Sequence, residues 1–201
     1  VVEQVPARQL RALYDAETVT VYQAYPPPVA YPAVRAGRLA PTVKHDRMTW
    51  IKPSFRTMLY RANPALNESQ DRILAVQISR AGFEWALARS CPNQYDRDFC
   101  PDRDDWAKAL QESPVRFQWD PERSLQTVAL PYRALQVGLT AQVMDRLVEE
   151  WTVDINDVTH IARNIGERVR AGKDPIAENM LPGERPYPLP EPIAARLHIS
   201  R

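Results

Sequence analysis

Glycine is scarce in this chain, at 6 of 201 residues. There is no G-x-G-x-x-G and no G-x-x-x-x-G-K-[ST], which excludes the dinucleotide and P-loop fingerprints. The G-x-S-x-G nucleophile elbow is missing as well. Any phosphate would have to be held by arginine, lysine or a helix N-terminus rather than by a glycine-rich cradle. The 2 cysteines, Cys91 and Cys100, are too few for a disulfide scaffold, and C-x8-C lacks the second pair of a structural zinc site. Two reduced thiols are expected, the alternative being a local disulfide closing the loop between them in an oxidising compartment. His45, His160 and His198 are scattered without metal-ligand spacing, so no metal is expected. No apolar run approaches the roughly 18 residues of a membrane span, and no charged-then-apolar leader opens the sequence. Neither sign of charge prevails, with 26 basic and 25 acidic residues, which argues against a nucleic-acid coat or an acidic tail. With 44% hydrophobic and 25% charged residues, the composition is that of a soluble globular protein, expected to be cytoplasmic and free of the membrane. Proline, at 19, is the abundant punctuation.

Periodicity places the elements. Leu10, Leu13 and Tyr14 at helical spacing predict a short helix over 7–17. TVTVYQAY, 18–25, is β-branched and aromatic and predicts a strand ended by Pro26-Pro27-Pro28. A helix is expected over 32–39, opening at Pro32 and closing at Gly37. RMTWIKPSFRTMLYR, 47–61, alternates as a strand and then turns helical at Pro53, with Phe55, Met58 and Leu59 as the apolar stripe. Segment 62–71 reads as a loop. Strands are expected over 72–80, 115–120 and 133–139, with WDPER turning the chain at Asp120-Pro121. Residues 82–90 favour a helix, Asp102 caps another through Trp106 and Leu110, and Thr140 caps one through Val143, Leu147 and Trp151. Asp154 or Asn156 caps a last helix with Val158, Ile161, Ile165 and Val169 inside, ended by Gly172. The order is too irregular for a doubly wound sheet. The expectation is one α+β domain over 1–180, with four to six strands in one or two strongly bent sheets flanked by helices. Residues 181–201 form a Pro-rich arm packed on it through Tyr187 and Leu189, or else a ligand for a partner's aromatic groove.

The densest polar-aromatic cluster is Arg47, Thr49, Trp50, Lys52, Ser54, Arg56, Tyr60 and Arg61. An anion at the start of the helix after Pro53 would meet free backbone N–H groups, the Ser54 hydroxyl and the Lys52 ammonium. Trp50 suits stacking on a base or nicotinamide ring, and suits a core position equally. As a surface group, Lys52 should be removable with a stability change within about 0.5 kcal/mol. Tyr22, Gln23 and Tyr25 form a second cluster, with Tyr22 on one face of the first strand and the other two opposite. Gln23, Gln77, Gln118 and Gln136 recur in mid-strand, either as a polar seam lining a cleft or as the solvent face of half-buried strands. A third group is Trp119-Asp120-Pro121-Glu122-Arg123, whose carboxylates suit general-base work or turn formation. Glu84 is a lone acid.

RQLRALYDAETVTVYQAY, RMTWIKPSFRTMLYR, RAGFEWAL, PVRFQWDPER and LPGERPYPLP together resemble domain-of-unknown-function family 4291, from about Arg8 to Pro190. The family carries no established reaction. The order of strands and helices is also similar to the ADP-ribosyltransferase fold, whose members bind NAD in a cleft between two small sheets. That resemblance implies two small bent, mostly antiparallel sheets around a cleft, with Tyr22 or Gln23 and then Thr49 or Trp50 in its strand positions and Gln136 where an acid is often found. Together with the clusters above, the candidates for catalysis are Tyr22, Arg47, Lys52 and Gln136, and those for binding are Gln23, Tyr25, Thr49, Trp50, Ser54, Arg61, Trp119 and Asp120. A glutamine cannot act as a base, so the implied activity is a transferase of altered chemistry, using NAD or acting on a nucleotide or RNA end.

Three functions follow from these readings. The first is such a transferase, the second a non-catalytic nucleotide- or RNA-binding module, and the third an interaction protein that recruits a partner through its Pro-rich tail. The sequence leaves the oligomeric state open.

Overall fold

The computed structural model describes residues 5–40, 48–62 and 71–200. Strand β1 (Arg11–Ala12) is followed by β2 (Thr18–Tyr25), helix α1 (Pro27–Ala36), β3 (Thr49–Ile51), α2 (Phe55–Ala62), β4 (Arg72–Ser79) and α3 (Arg80–Ala88). Then come β5 (Ser90–Pro92), α4 (Arg103–Glu112), β6 (Val115–Arg123), β7 (Ala129–Leu139) and α5 (Ala141–Arg146). A π-helical turn, Leu147–Trp151, leads into β8 (Thr152–Asp157), α6 (Thr159–Arg170), α7 (Asp174–Asn179), β9 (Arg185–Pro186) and α8 (Glu191–Arg196).

The result is a mixed α/β architecture of small open sheets. A three-stranded sheet runs β2-β4-β8, a four-stranded sheet runs β3-β7-β6-β5, and β1 pairs with β9. All pairings are antiparallel except β5 with β6. The two larger sheets meet where the Tyr22 and Lys52 backbones exchange hydrogen bonds of 2.8 and 3.2 Å. Alternation sorts the side chains of β2 onto two cores. Val19 and Val21 join the main cluster with Phe117, Val137 and Leu139. Tyr22 joins a second cluster with Phe55, Met58, Ile73 and Ile165, under α2 and α6.

Several expected elements differ. Residues 7–17 hold no helix; their backbone groups go to β9 and to a turn in which Asp15 Oδ1 accepts from the Glu17 and Thr18 amides. Helix α1 starts earlier than Pro32, with Pro27 and Pro28 in its first turn, where missing N–H groups cost nothing. Gly37 ends it at φ 64°, a left-handed conformation that a glycine adopts without strain. Residues expected to cap the last helix are instead strand β8, and α6 begins at Thr159. Asp120-Pro121 does not turn the chain: β6 continues to Arg123 with a register shift between Pro121 and Arg123. The expected loop over 62–71 lies largely outside the described residues.

The Pro-rich segment folds back on the molecule. Tyr187 is buried between Tyr14 and Phe83, and its hydroxyl donates to Glu84 Oε1 at 2.8 Å. The turn of α8 that follows closes over Trp119, whose Nε1 donates to Leu197 O at 3.0 Å.

Candidate functional site

Strand register assembles a polar face on the four-stranded sheet. Arg116 lies level with Gly138 and Gln118 with Gln136, and Asp120 follows on the same side of β6. Trp50 also pairs with Gly138, so its ring covers that glycine, together with Met48. A Cβ at Gly138 would come within 2.6 Å of Met48 Sδ and 3.1 Å of Trp50 Cη2. Here the absence of a side chain is what lets the indole lie on the sheet.

Three donors converge on Asp120 Oδ2: Gln118 Nε2 at 2.9 Å, Arg61 Nη2 at 2.7 Å, and Gln136 Nε2. Asn93 Nδ2 in turn donates to Gln118 Oε1 at 3.1 Å. Lys52 is not the surface group expected from the sequence: it is half-buried at the junction of the two sheets and donates to Trp50 O at 3.2 Å. Burial, and then the nearby Arg61 charge, push its amine down to about 8. Arg116 Nε is buried without a hydrogen-bond partner among the described residues. The face therefore carries three cations, one carboxylate and the Gln118–Gln136 amide pair, of which Gln136 is buried, with an indole at its rim.

A second polar centre lies at the start of α2. Ser54 caps the helix, accepting from Thr57 N at 3.2 Å while its hydroxyl donates to Glu122 Oε2 at 2.5 Å. Thr57 Oγ1 donates to Glu122 Oε1 at 3.1 Å. The place the sequence assigns to an anion at this helix start is taken by the chain itself, since the Glu184 carboxyl oxygen Oε1 accepts from Phe55 N at 2.7 Å. Burial pushes the Glu184 carboxyl up to about 8 against the lowering effect of that amide, and neighbouring Glu122 adds to the rise. Ser54, Glu122 and Glu184 line a cavity of about 300 Å³ with Arg11, Arg56, Tyr132 and Glu178.

The nominated residues divide between these places. Lys52, Trp50, Arg61, Asp120 and Gln136 come together on the sheet face, and Ser54 lines the cavity. Tyr22 is buried against Phe55, ring centroids 4.9 Å apart, and burial followed by the Glu184 charge raises its hydroxyl. Gln23 is buried in the three-stranded sheet with Oε1 unpartnered among the described residues, beside Tyr25, whose hydroxyl burial pushes up to about 12. Thr49 pairs with Leu139, on the side away from Trp50. Trp119 is a core residue, 9% exposed, facing away from Gln118 and Asp120. Arg47 lies outside the described residues. Of the four strand glutamines only Gln118 and Gln136 meet; Gln77 pairs with Thr20 on β2.

Arg116, Arg11, Tyr132 and Glu184 were not singled out by the sequence reading. Alternation in VRFQWD already aligns Arg116 with Gln118 and Asp120, so that residue was available to be found. Glu184 sits among prolines more than a hundred residues from α2, with no local pattern to mark it.

A model of a domain of unknown function, family 4291, matches residues 9–187. The chain belongs to that family. A comparison with curated proteins finds no match. The family 4291 chain thus brings two adjoining polar centres to one side of α2, which contributes Arg61 to the first and Ser54 and Arg56 to the second.

Proposed function

We propose that this protein is a nucleotide-handling transferase of ADP-ribosyltransferase-like architecture, which uses NAD or acts on a nucleotide or RNA end at the polar face of the four-stranded sheet. The supporting observation is Lys52, half-buried where the two sheets join, with Arg61 beside it and a buried Arg116 Nε still in need of a partner. Cations held in place by the fold are suited to phosphate. Trp50, laid over Gly138, offers a ring for stacking next to them. The residues present therefore fit a pyrophosphate with an attached base or nicotinamide. NAD would supply the transferable ADP-ribosyl group, and the chain's own part is to bind the phosphates, orient the ring and exclude water.

The engagement of Asp120 by three donors favours a second reading, a binding module without turnover. That carboxylate is spent as an acceptor, and Gln136 cannot take a proton. Lys52, with its lowered amine, is then the remaining base on this face.

Thermal shift with NAD, ADP-ribose, ATP, GTP and short RNA with and without a terminal phosphate tests both readings. A ligand at 100 times its Kd adds about 2.7 kcal/mol, roughly 5–10 °C for a domain of this size. The expected result is a shift with NAD or ADP-ribose that Lys52→Ala and Arg116→Ala each reduce, followed by nicotinamide release. Affinity held by the Lys52 ammonium should fall as pH rises through about 8; a rate that climbs through the same range would make Lys52 the base. Shifts without nicotinamide release leave the binding module. No shift with any nucleotide would end both readings.

A further inference from the structure

The cavity at the start of α2 contains charged groups whose pairing can be traced one by one. Glu122 accepts from Ser54 and Thr57, and Glu178 is engaged by both terminal nitrogens of Arg56. Arg11 has no carboxylate within salt-bridge distance among the described residues. Its fork is held open by two neutral acceptors, Gln9 Oε1 at 2.9 Å and the Glu184 carbonyl at 3.1 Å. The Tyr132 hydroxyl and the second carboxyl oxygen of Glu184 have no hydrogen-bond partner among the described residues. Arg133, also on the wall, likewise has no carboxylate within salt-bridge distance among the described residues and donates to the Trp119 carbonyl at 3.0 Å, toward β6. Once the internal ion pairs are subtracted, the Arg11 charge with its remaining N–H groups, a phenol and one carboxyl oxygen are left around about 300 Å³ of space. That is room for about ten water molecules, or for a headgroup with a short remainder.

We propose that this cavity is a binding site for a small oxyanion, the carboxylate, sulfate or phosphate group of a small acid, held by Arg11, Tyr132 and the free oxygen of Glu184. The site is separate from the sheet face and does not depend on the nucleotide reading. A planar guanidinium whose position is already fixed meets two oxygens of such a group without further ordering. The phenol donates a third hydrogen bond. Glu184 contributes a fourth only while it carries a proton, and its surroundings favour that. Burial and the Glu122 carboxylate from β6 favour the neutral acid. Arg11 from β1, Arg56 from α2 and the Phe55 amide oppose it, with Tyr22 from β2 also facing it. Tyr132 of β7 and Glu178 of α7 complete the wall. Binding is therefore linked to a proton: ionised Glu184 would repel the ligand that neutral Glu184 recognises.

The full chain, labelled with 15N, is titrated with sulfate and separately with acetate, both ionised throughout the working range. At about pH 6.5 one or both should move the Phe55 and Tyr132 amide resonances saturably, and at about pH 9.5 bind about tenfold more weakly. Sulfate alone would mark a phosphoryl-type ligand, acetate alone a carboxylate. Arg11→Gln should abolish the response, and Arg11→Lys, which keeps the charge but not the fork, should weaken it about tenfold. Glu184→Gln should keep the affinity at the lower pH and lose the pH dependence. Lys52→Ala should leave these resonances responding as before, which separates failure here from failure of the nucleotide reading. No saturable response to either anion, an unchanged response in both Arg11 variants, or a pH dependence that survives Glu184→Gln would each overturn the proposal.

Discussion

Two glycines inside helices show how differently the same residue is constrained here. Gly82 sits in α3 with the Trp151 ring against it, so that a Cβ would fall 2.4 Å from Cγ and 2.6 Å from Cδ1 and Cδ2. Trp151 cannot yield easily, being buried and tilted against Trp85 at 5.6 Å between ring centroids. Gly166 in α6 has only Arg170 Nη1 near the same point, at 3.9 Å, the tip of a flexible side chain. Gly82→Ala should therefore cost about 2 kcal/mol through overpacking. Gly166→Ala should stabilise by about 0.5–1 kcal/mol through helix propensity. Urea denaturation of the two variants checks both signs; equal effects would mean that Trp151 moves aside.

At the scale of elements, the contact between α2 and β6 holds the two polar centres in place. Ser54, Thr57 and Arg61 recur at helical spacing along one stripe of α2, and Asp120 and Glu122 face them from the strand. Ser54 both caps the helix and donates to Glu122, so Ser54→Ala should cost about 1–2 kcal/mol. A double-mutant cycle with Glu122→Gln should return a coupling of about 1 kcal/mol. Additive behaviour would show that the cap works alone. Much of this element was legible: the Phe55, Met58 and Leu59 stripe and the Pro53 start predict α2, and the alternation of TVTVYQAY predicts β2. Leu10, Leu13 and Tyr14 misled because helical spacing over so short a stretch also suits an extended segment tied down by a distant partner, here β9. Strand β8 was hidden for a related reason. TVDIND is polar at every other position because only Ile155 is fully buried, while its pairing with β4 is visible only in three dimensions. At the site, the local junction 50–61 was readable. The carboxyl that closes it came from Glu184, which no spacing rule connects to α2.

For the whole molecule, the two centres impose opposite pH dependences that meet near the same value. Glu184 moves from an ordinary 4.5 in the unfolded chain to about 8 in the fold. The native state thus keeps a proton that the unfolded state releases, and that contribution to stability is full below 4.5 and lost as pH rises through 8. Lys52 moves the other way, from 10.5 to about 8, so between those values the unfolded chain holds the extra proton and stability rises with pH. Their sum is a minimum near pH 8, with a fall on the order of 5 kcal/mol on the acid side. The rising limb is to be read below about pH 9.5. Above that, Tyr22, Tyr25 and Tyr187, all raised by burial, begin to reverse it. Urea midpoints taken at half-unit intervals trace the curve. Glu184→Gln should flatten the acid limb alone and Lys52→Met the alkaline limb alone. A profile without a minimum, or one unchanged by either substitution, would mean that these two groups titrate as they do in water, and that the fold neither holds the Glu184 proton nor loosens the Lys52 proton.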